Sequence, residues 1–215
     1  MQPYFLPYMG YFQLIKHVDI FVNLDHVSFM KRSYMTRNVL HNEQEINIQM
    51  SHASQNKACD ETQVFIDDHY VKKFLRKIEF NYSKTPHYEL ISQKIAKWIT
   101  SGNGKSISEF NLQIIKEICS YLEIKTEVVD TSRGMSELSR EDCLIEITKK
   151  LQCEEYVNPI GGIELYKKSY FNDRNIKLSF IKMNEIENWN LSILHHLFNK
   201  DVQTINKQLD LYEIL

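Results

Sequence analysis

Pro3, Pro7 and Gly10 punctuate MQPYFLPYMG at the head of the chain, and a short amphipathic run and a short apolar run follow directly. This order constrains the fold more than any other feature. Across Tyr11–Val18 the apolar residues Tyr11, Phe12, Leu14, Ile15 and Val18 recur at helical spacing, which predicts a helix. Asp19–Asn23 reads DIFVN and predicts a buried strand, because Ile, Phe and Val fit a pleated, covered surface. Loop, helix, strand is the back half of a βαβ unit.

The rest of the chain extends that reading. Glu45–Met50 alternates polar and apolar residues and predicts a half-buried strand, and Val64–Ile66 predicts a shorter one. The segment between them, residues 51–62, reads as a surface loop. Residues 67–122 are helical in pattern, with breaks at SKTPHY, where Pro86 disfavours helix before it, and at SGNGKS. Ser108 is expected near the start of the third of these helices. Ile124–Val129, Glu155–Asn158 and residues 175–183 predict strands; Ser139–Leu151 and Ser192–Phe198 predict helices. The expected fold is α/β: a Rossmann-like βαβ start, a mostly parallel sheet and a helical middle section, in one domain spanning 1–215 with a helical subregion at 67–122.

Composition excludes several function classes. With 26 basic and 28 acidic residues the net charge is -2, so a nucleic-acid partner is not expected. No run approaches the roughly 18 apolar residues of a membrane span, and a cytoplasmic protein is expected. Cys59, Cys119, Cys143 and Cys153 form no CxxC pair, and the histidines show no HxxxH or HExxH spacing, so no metal site is expected. SGNGKS lacks the earlier glycine of a phosphate loop, and no GxSxG elbow occurs.

Three constellations could carry chemistry. Gln2, Tyr4, Tyr8, Gly10 and Tyr11 form an aromatic loop opening a helix, which either fills the core or lines a ligand site. Lys31, Arg32, Arg37 and Asn38 either face water or clamp an anion, and Asp25 and His26 stand just before them at the end of a strand. Gly161, in YVNPIGGIELY, marks either a plain turn or a loop that a ligand can approach closely.

MQPYFLPYMGYFQLI, VDIFVNLDHVSFMKRSYMTRN, EEYVNPIGGIELYKKSYFNDRNIKLSF and LSILHHLFN resemble, in order, the blocks of the WbqC-like family. The resemblance implies a place in bacterial O-antigen or other surface-polysaccharide biosynthesis, and transfer of a glycyl or other acyl group to an amino sugar. Gln2, Pro3, Tyr4, Pro7, Gly10, Tyr11 and Phe12 match the first block; Asp25, Lys31, Arg32, Arg37 and Asn38 the second; Gly161 and Tyr166 the third; Ser192 and Asn199 the last. The implied partner is a nucleotide-linked amino sugar, and an activated acyl or aminoacyl donor is the implied co-substrate. In that reading Asp25 or His26 is the base, and Lys31, Arg32 and Arg37 contact phosphate or oxyanion. Tyr4, Tyr8 and Tyr11 form a stacking wall. A non-catalytic sugar-nucleotide binding subunit and a nucleotidyl or adenylyl transferase are the alternatives. Members of the family carry a few apolar residues ahead of the QPY block that would form a first strand, whereas this chain starts at Met1-Gln2: either the start codon is assigned internally or an edge strand is missing, and with the strand restored the layout is like the start of Rossmann-like nucleotidyltransferases.

Overall fold

In the computed structural model, which describes residues 1–25, 27–51, 57–130, 138–184 and 186–215, the amphipathic run forms α1 (Met9–His17) and DIFVN forms β1 (Ile20–Asn23). The helix starts two residues ahead of Tyr11. Gly10 permits this, because a Cβ there would lie 2.9 Å from the ring of Tyr8. β1 pairs in parallel with β4 (Glu127–Asp130), Phe21 opposite Val128.

Between β1 and the alternating run lies a further strand, β2 (Arg37–Val39), which pairs antiparallel with β3 (Glu45–Asn47). Only the first half of the alternating run 45–50 is strand, and Val64 makes no more than an isolated bridge to Met50. The helical middle section follows as α2 (Asp68–Tyr82), α3 (Tyr88–Thr100) and α4 (Ile107–Tyr121). α4 is capped by Ser106, two residues before Ser108, in a reciprocal capping box with Glu109.

The C-terminal half contains α5 (Arg140–Lys150), capped by Ser139, then β5 (Glu155–Pro159), α6 (Lys168–Asn172) and β6 (Lys177–Met183). It ends in α7 (Ile193–Asn199), α8 (Val202–Leu209) and β7 (Tyr212–Ile214). β6 lies between β5, to which it is parallel, and β7, to which it is antiparallel. The fold is mixed α/β. Its larger core joins Phe5, Phe12, Phe21, Phe74, Phe110 and Phe198, and a smaller one gathers Leu144, Ile145, Phe171, Leu178 and Phe180 around β6. Among the described residues no helix is long and apolar enough to cross a membrane.

The two parallel pairs do not meet. Between β1 and β5 lies a cleft of about 450 Å³, lined by Ile20, Val22, Tyr156 and Val157, with Leu14 of α1 and Ile147 of α5 among its other walls. Met1 enters it. The amino group donates to the Val22 carbonyl at 2.7 Å, and Leu24 N donates to the Met1 carbonyl at 2.8 Å. That is how one residue of a parallel strand bonds to its neighbour. Burial pushes the amino group down to about 5.

Candidate functional site

The proline loop takes its shape from side chains far away in sequence. Five of its carbonyls are capped: Gln2 by the Tyr11 hydroxyl at 2.9 Å, Pro3 by Asn111 Nδ2 at 2.9 Å, Phe5 and Leu6 by Asn38 Nδ2 at 3.3 and 2.8 Å, and Pro7 by Ile193 N at 2.8 Å. Ser192 Oγ adds a second donor to Leu6 at 2.8 Å. Leu6 has φ +44°, a backbone conformation that an L side chain adopts only when its surroundings hold it there. Here two donors fix its carbonyl. Phe5 and Leu6 point inward and are buried, while Tyr4 and Tyr8 are half-buried.

Those two tyrosines belong to an aromatic row. Tyr34 lies 5.3 Å from Tyr4 and 5.9 Å from Tyr8, between ring centroids, and Tyr8 meets Trp189 at 6.3 Å with planes 76° apart. The row draws on separate parts of the chain: Tyr4 and Tyr8 from the proline loop, Tyr34 from the turn after β1, and Trp189 from the turn after β6. Tyr34 and Trp189 are 48% and 47% exposed. Burial, with the neighbouring phenols of Tyr4 and Tyr34, pushes the Tyr8 hydroxyl up to about 12, and burial followed by Tyr34 raises that of Tyr4. At neutral pH these two hydroxyls are uncharged donors and acceptors.

The residues singled out from sequence divide. Lys31 and Arg32 are exposed on the same turn as Tyr34. Asp25 is 5% exposed, at the end of β1; His26 lies outside the described residues. Gly10 brings the helix start against Tyr8. Gly161 is exposed with open space around it, whereas a Cβ on Gly162 would fall 1.9 Å from Asn158 Nδ2. The steric demand is therefore at Gly162, and PIGG forms a 3-10 turn at Ile160–Gly162. Tyr166 packs edge-on to Tyr156 and Phe171 and is hydrogen-bonded to Arg140. Leu24, beside Asp25, packs against the same cluster.

Three expectations need correction. Tyr11 does not face a ligand: its ring is 1% exposed and its hydroxyl holds Gln2, so it supports Tyr4 from behind at 5.4 Å. Asn38 is 1% exposed and commits its carboxamide to the loop and to Val39 N. Arg37 points to the surface, paired with Glu45 at 3.0 Å. Conversely Tyr34, Trp189, Asn111 and the clamping role of Ser192 were not read from sequence. Tyr34 stands in the KRSY run, but nothing local distinguishes an exposed aromatic from a core one.

No thiol here is an activated nucleophile among the cysteines whose state is set by burial. The Cys59 thiol is pushed up to about 12 by burial, then by Asp60 and Asp25, and that of Cys119 likewise by burial. Among the described residues no three His, Cys, Asp or Glu side chains are grouped to hold a metal. What the arrangement offers is an aromatic wall, two exposed cations and a buried carboxylate, at the segments that leave the C-terminal ends of β1 and β6. Open α/β sheets bind ligands in that kind of place.

The sequence is 24% identical over 213 residues to an uncharacterized protein of Mycobacterium tuberculosis, Rv1507c, covering 93% of this chain and 91% of that one. No solved structure matches. The profile of the WbqC-like protein family matches residues 2–207, nearly the whole length, and it takes in the clamped proline loop, the Tyr34 turn and the segment carrying Trp189. The chain belongs to the WbqC-like protein family.

Proposed function

We propose that the protein is a cytoplasmic enzyme of bacterial surface-polysaccharide (O-antigen) biosynthesis that transfers an aminoacyl, glycyl or other acyl group to the amine of a nucleotide-linked amino sugar. The observation that carries the reading is the convergence of Tyr4, Tyr8 and Tyr34, with Lys31 and Arg32 on the Tyr34 turn and Asp25 at the end of β1. An uncharged aromatic wall beside cations suits a ligand with a ring at one end and phosphates at the other.

The chemistry follows from that placement. The neutral amine attacks the donor's acyl carbon, forming a C–N bond and a tetrahedral oxyanion, for which Lys31 is the donor in reach of the turn. The Asp25 carboxylate takes the proton released by the amine and returns it to the leaving group as the acyl–donor bond breaks. Arg32 holds the diphosphate. Incubation with nucleotide-linked amino sugars and activated glycine or other acyl donors is expected to give a product heavier by the acyl group, read by mass spectrometry. No mass gain across a panel of donors and sugars overturns the proposal.

The depth of Asp25 favours a second reading, in which the mouth only binds a sugar nucleotide and no base is needed. Asp25→Asn separates the two. The transferase reading expects turnover to fall roughly 10²- to 10⁴-fold with binding retained; a binding subunit shows no turnover in either form.

A further inference from the structure

The most exposed part of the aromatic row is its far end, where Tyr34 and Trp189, each about half exposed, both rest on the half-buried ring of Tyr8. Large apolar rings left in water and gathered on one neighbour mark a binding surface. Their planes are not parallel: Tyr34 is tilted 54° from Tyr8, and Trp189 stands 76° from it. The three rings form a corner of inclined planes. We infer that this corner, Tyr34–Tyr8–Trp189, is the subsite for a neutral pyranose ring, seated with its C–H face on the aromatic faces. The inference rests on the reading of this mouth as the ligand site and assigns the sugar to one end of it.

Shape argues for a sugar over a nucleobase. A flat base stacks on one ring face at a time, whereas a chair presents C–H groups in several directions and can touch two rings inclined at 54° or 76° at once. Those C–H groups are the positive partners that the negative faces of Tyr and Trp attract, and every ring atom adds dispersion contact. The Tyr8 hydroxyl, uncharged at neutral pH, meets the ring hydroxyls as donor or acceptor. Charge argues against the other occupant of an aromatic corner, a cation. Lys31 and Arg32 stand on the Tyr34 turn and repel an ammonium, yet they favour a sugar that carries a phosphate tail.

The chain has two tryptophans, and they differ: Trp98 is 3% exposed and Trp189 is 47% exposed. Emission that responds to a small solute is therefore that of Trp189. The test titrates the full chain with methyl glycosides of N-acetylglucosamine, glucose and galactose, with tetramethylammonium chloride and with uridine monophosphate, following tryptophan emission. The expected result is a saturable blue shift or quench with at least one glycoside, weakened about five- to tenfold in Tyr34→Ala; Trp189→Phe, which has lost the reporter, is titrated by calorimetry and is expected to bind more weakly than the parent. Both altered side chains are half exposed, so their urea midpoints should match the parent and serve as the folding control. No saturable response to any glycoside, or a response to the ammonium salt or the nucleotide alone, overturns the inference. Glycoside binding without acyl transfer retains the corner and removes the transferase reading; acyl transfer unaffected by Trp189→Phe and Tyr34→Ala does the reverse.

Discussion

His196 is fully buried. Its Nε2 donates to the Asn188 carbonyl at 3.3 Å and its Nδ1 accepts from Lys200 Nζ at 3.4 Å, so both ring nitrogens are used by a neutral imidazole. Burial first, then Lys200 and His195, push its pKa down to about 4. The unfolded chain takes a proton near 6.5, so above that pH the contribution to stability is intact, and it is lost as the pH falls from 6.5 toward 4. Over that window the loss is on the order of 3 kcal/mol. Urea midpoints measured from pH 7.5 to 4.5 should fall more steeply for the parent than for His196→Gln, and equal slopes would refute the assignment. In the sequence His195 and His196 could be judged only by metal spacing, which they lack. Their actual work depends on packing: His196 secures Asn188, the neighbour of Trp189. Tyr11 fails to be legible for the same reason, since its spacing puts it on a helix without saying which side is covered.

At the scale of elements, what periodicity can show, it showed. α2, α3 and α4 lie where apolar stripes predicted them, and the breaks fall at Pro86 and at SGNGKS. β2 was hidden, because Arg-Asn-Val is too short to alternate and its strand character comes from pairing with β3. The proline loop was visible as an element but not as a clamped one, since Asn38, Asn111 and Ser192 reach it from across the chain. This gives a prediction at that scale. Asn38→Ala removes the donor shared by Phe5 and Leu6 and the acceptor of Val39 N; Leu6 keeps Ser192 Oγ, while the Phe5 carbonyl and Val39 N lose this partner at about 1–3 kcal/mol each. Part of that is recovered by relaxation of the strained Leu6, so a net loss of roughly 2–4 kcal/mol is expected in urea unfolding. A loss below ~1 kcal/mol would mean that Ser192 and the prolines hold the loop without Asn38.

For the whole molecule, the α/β class and the parallel pairings were legible from the order of elements, but the division into separate small sheets was not. β1 uses one edge for β4 and β5 uses one for β6; the other edges face each other across the cleft, whose lining includes residues of α1 and α5. Backbone groups alternate along a strand. Since the Val22 carbonyl and Leu24 N–H turn toward Met1, Ile20 and the Val22 N–H turn the same way. The Glu154 carbonyl accepts from Lys177 N on β6, so Glu155 and Val157 turn into the cleft from the other side. A strand laid parallel between them would give a sheet ordered β4, β1, inserted strand, β5, β6, β7, and the proline loop would leave its C-terminal end where the strand order reverses, the ligand-binding position of such sheets. α1 and α5 bring Leu14, Leu144 and Ile147 to the lining, so an apolar strand is the one expected to fit there. Joining Val-Ala-Val-Ile to the amino group of Met1 also turns a buried amine into a ladder amide. Against a Gly-Ser-Gly-Ser extension of equal length, the apolar variant should gain about 2–3 kcal/mol from burial of its side chains, which is about 5–10 °C in melting temperature for a chain of this size. Hydrogen exchange of the Ile20, Val22, Glu155 and Val157 amides should slow in the same variant. Equal melting temperatures for the two extensions, with exchange at those four amides unchanged, would show that the cleft does not accept a strand.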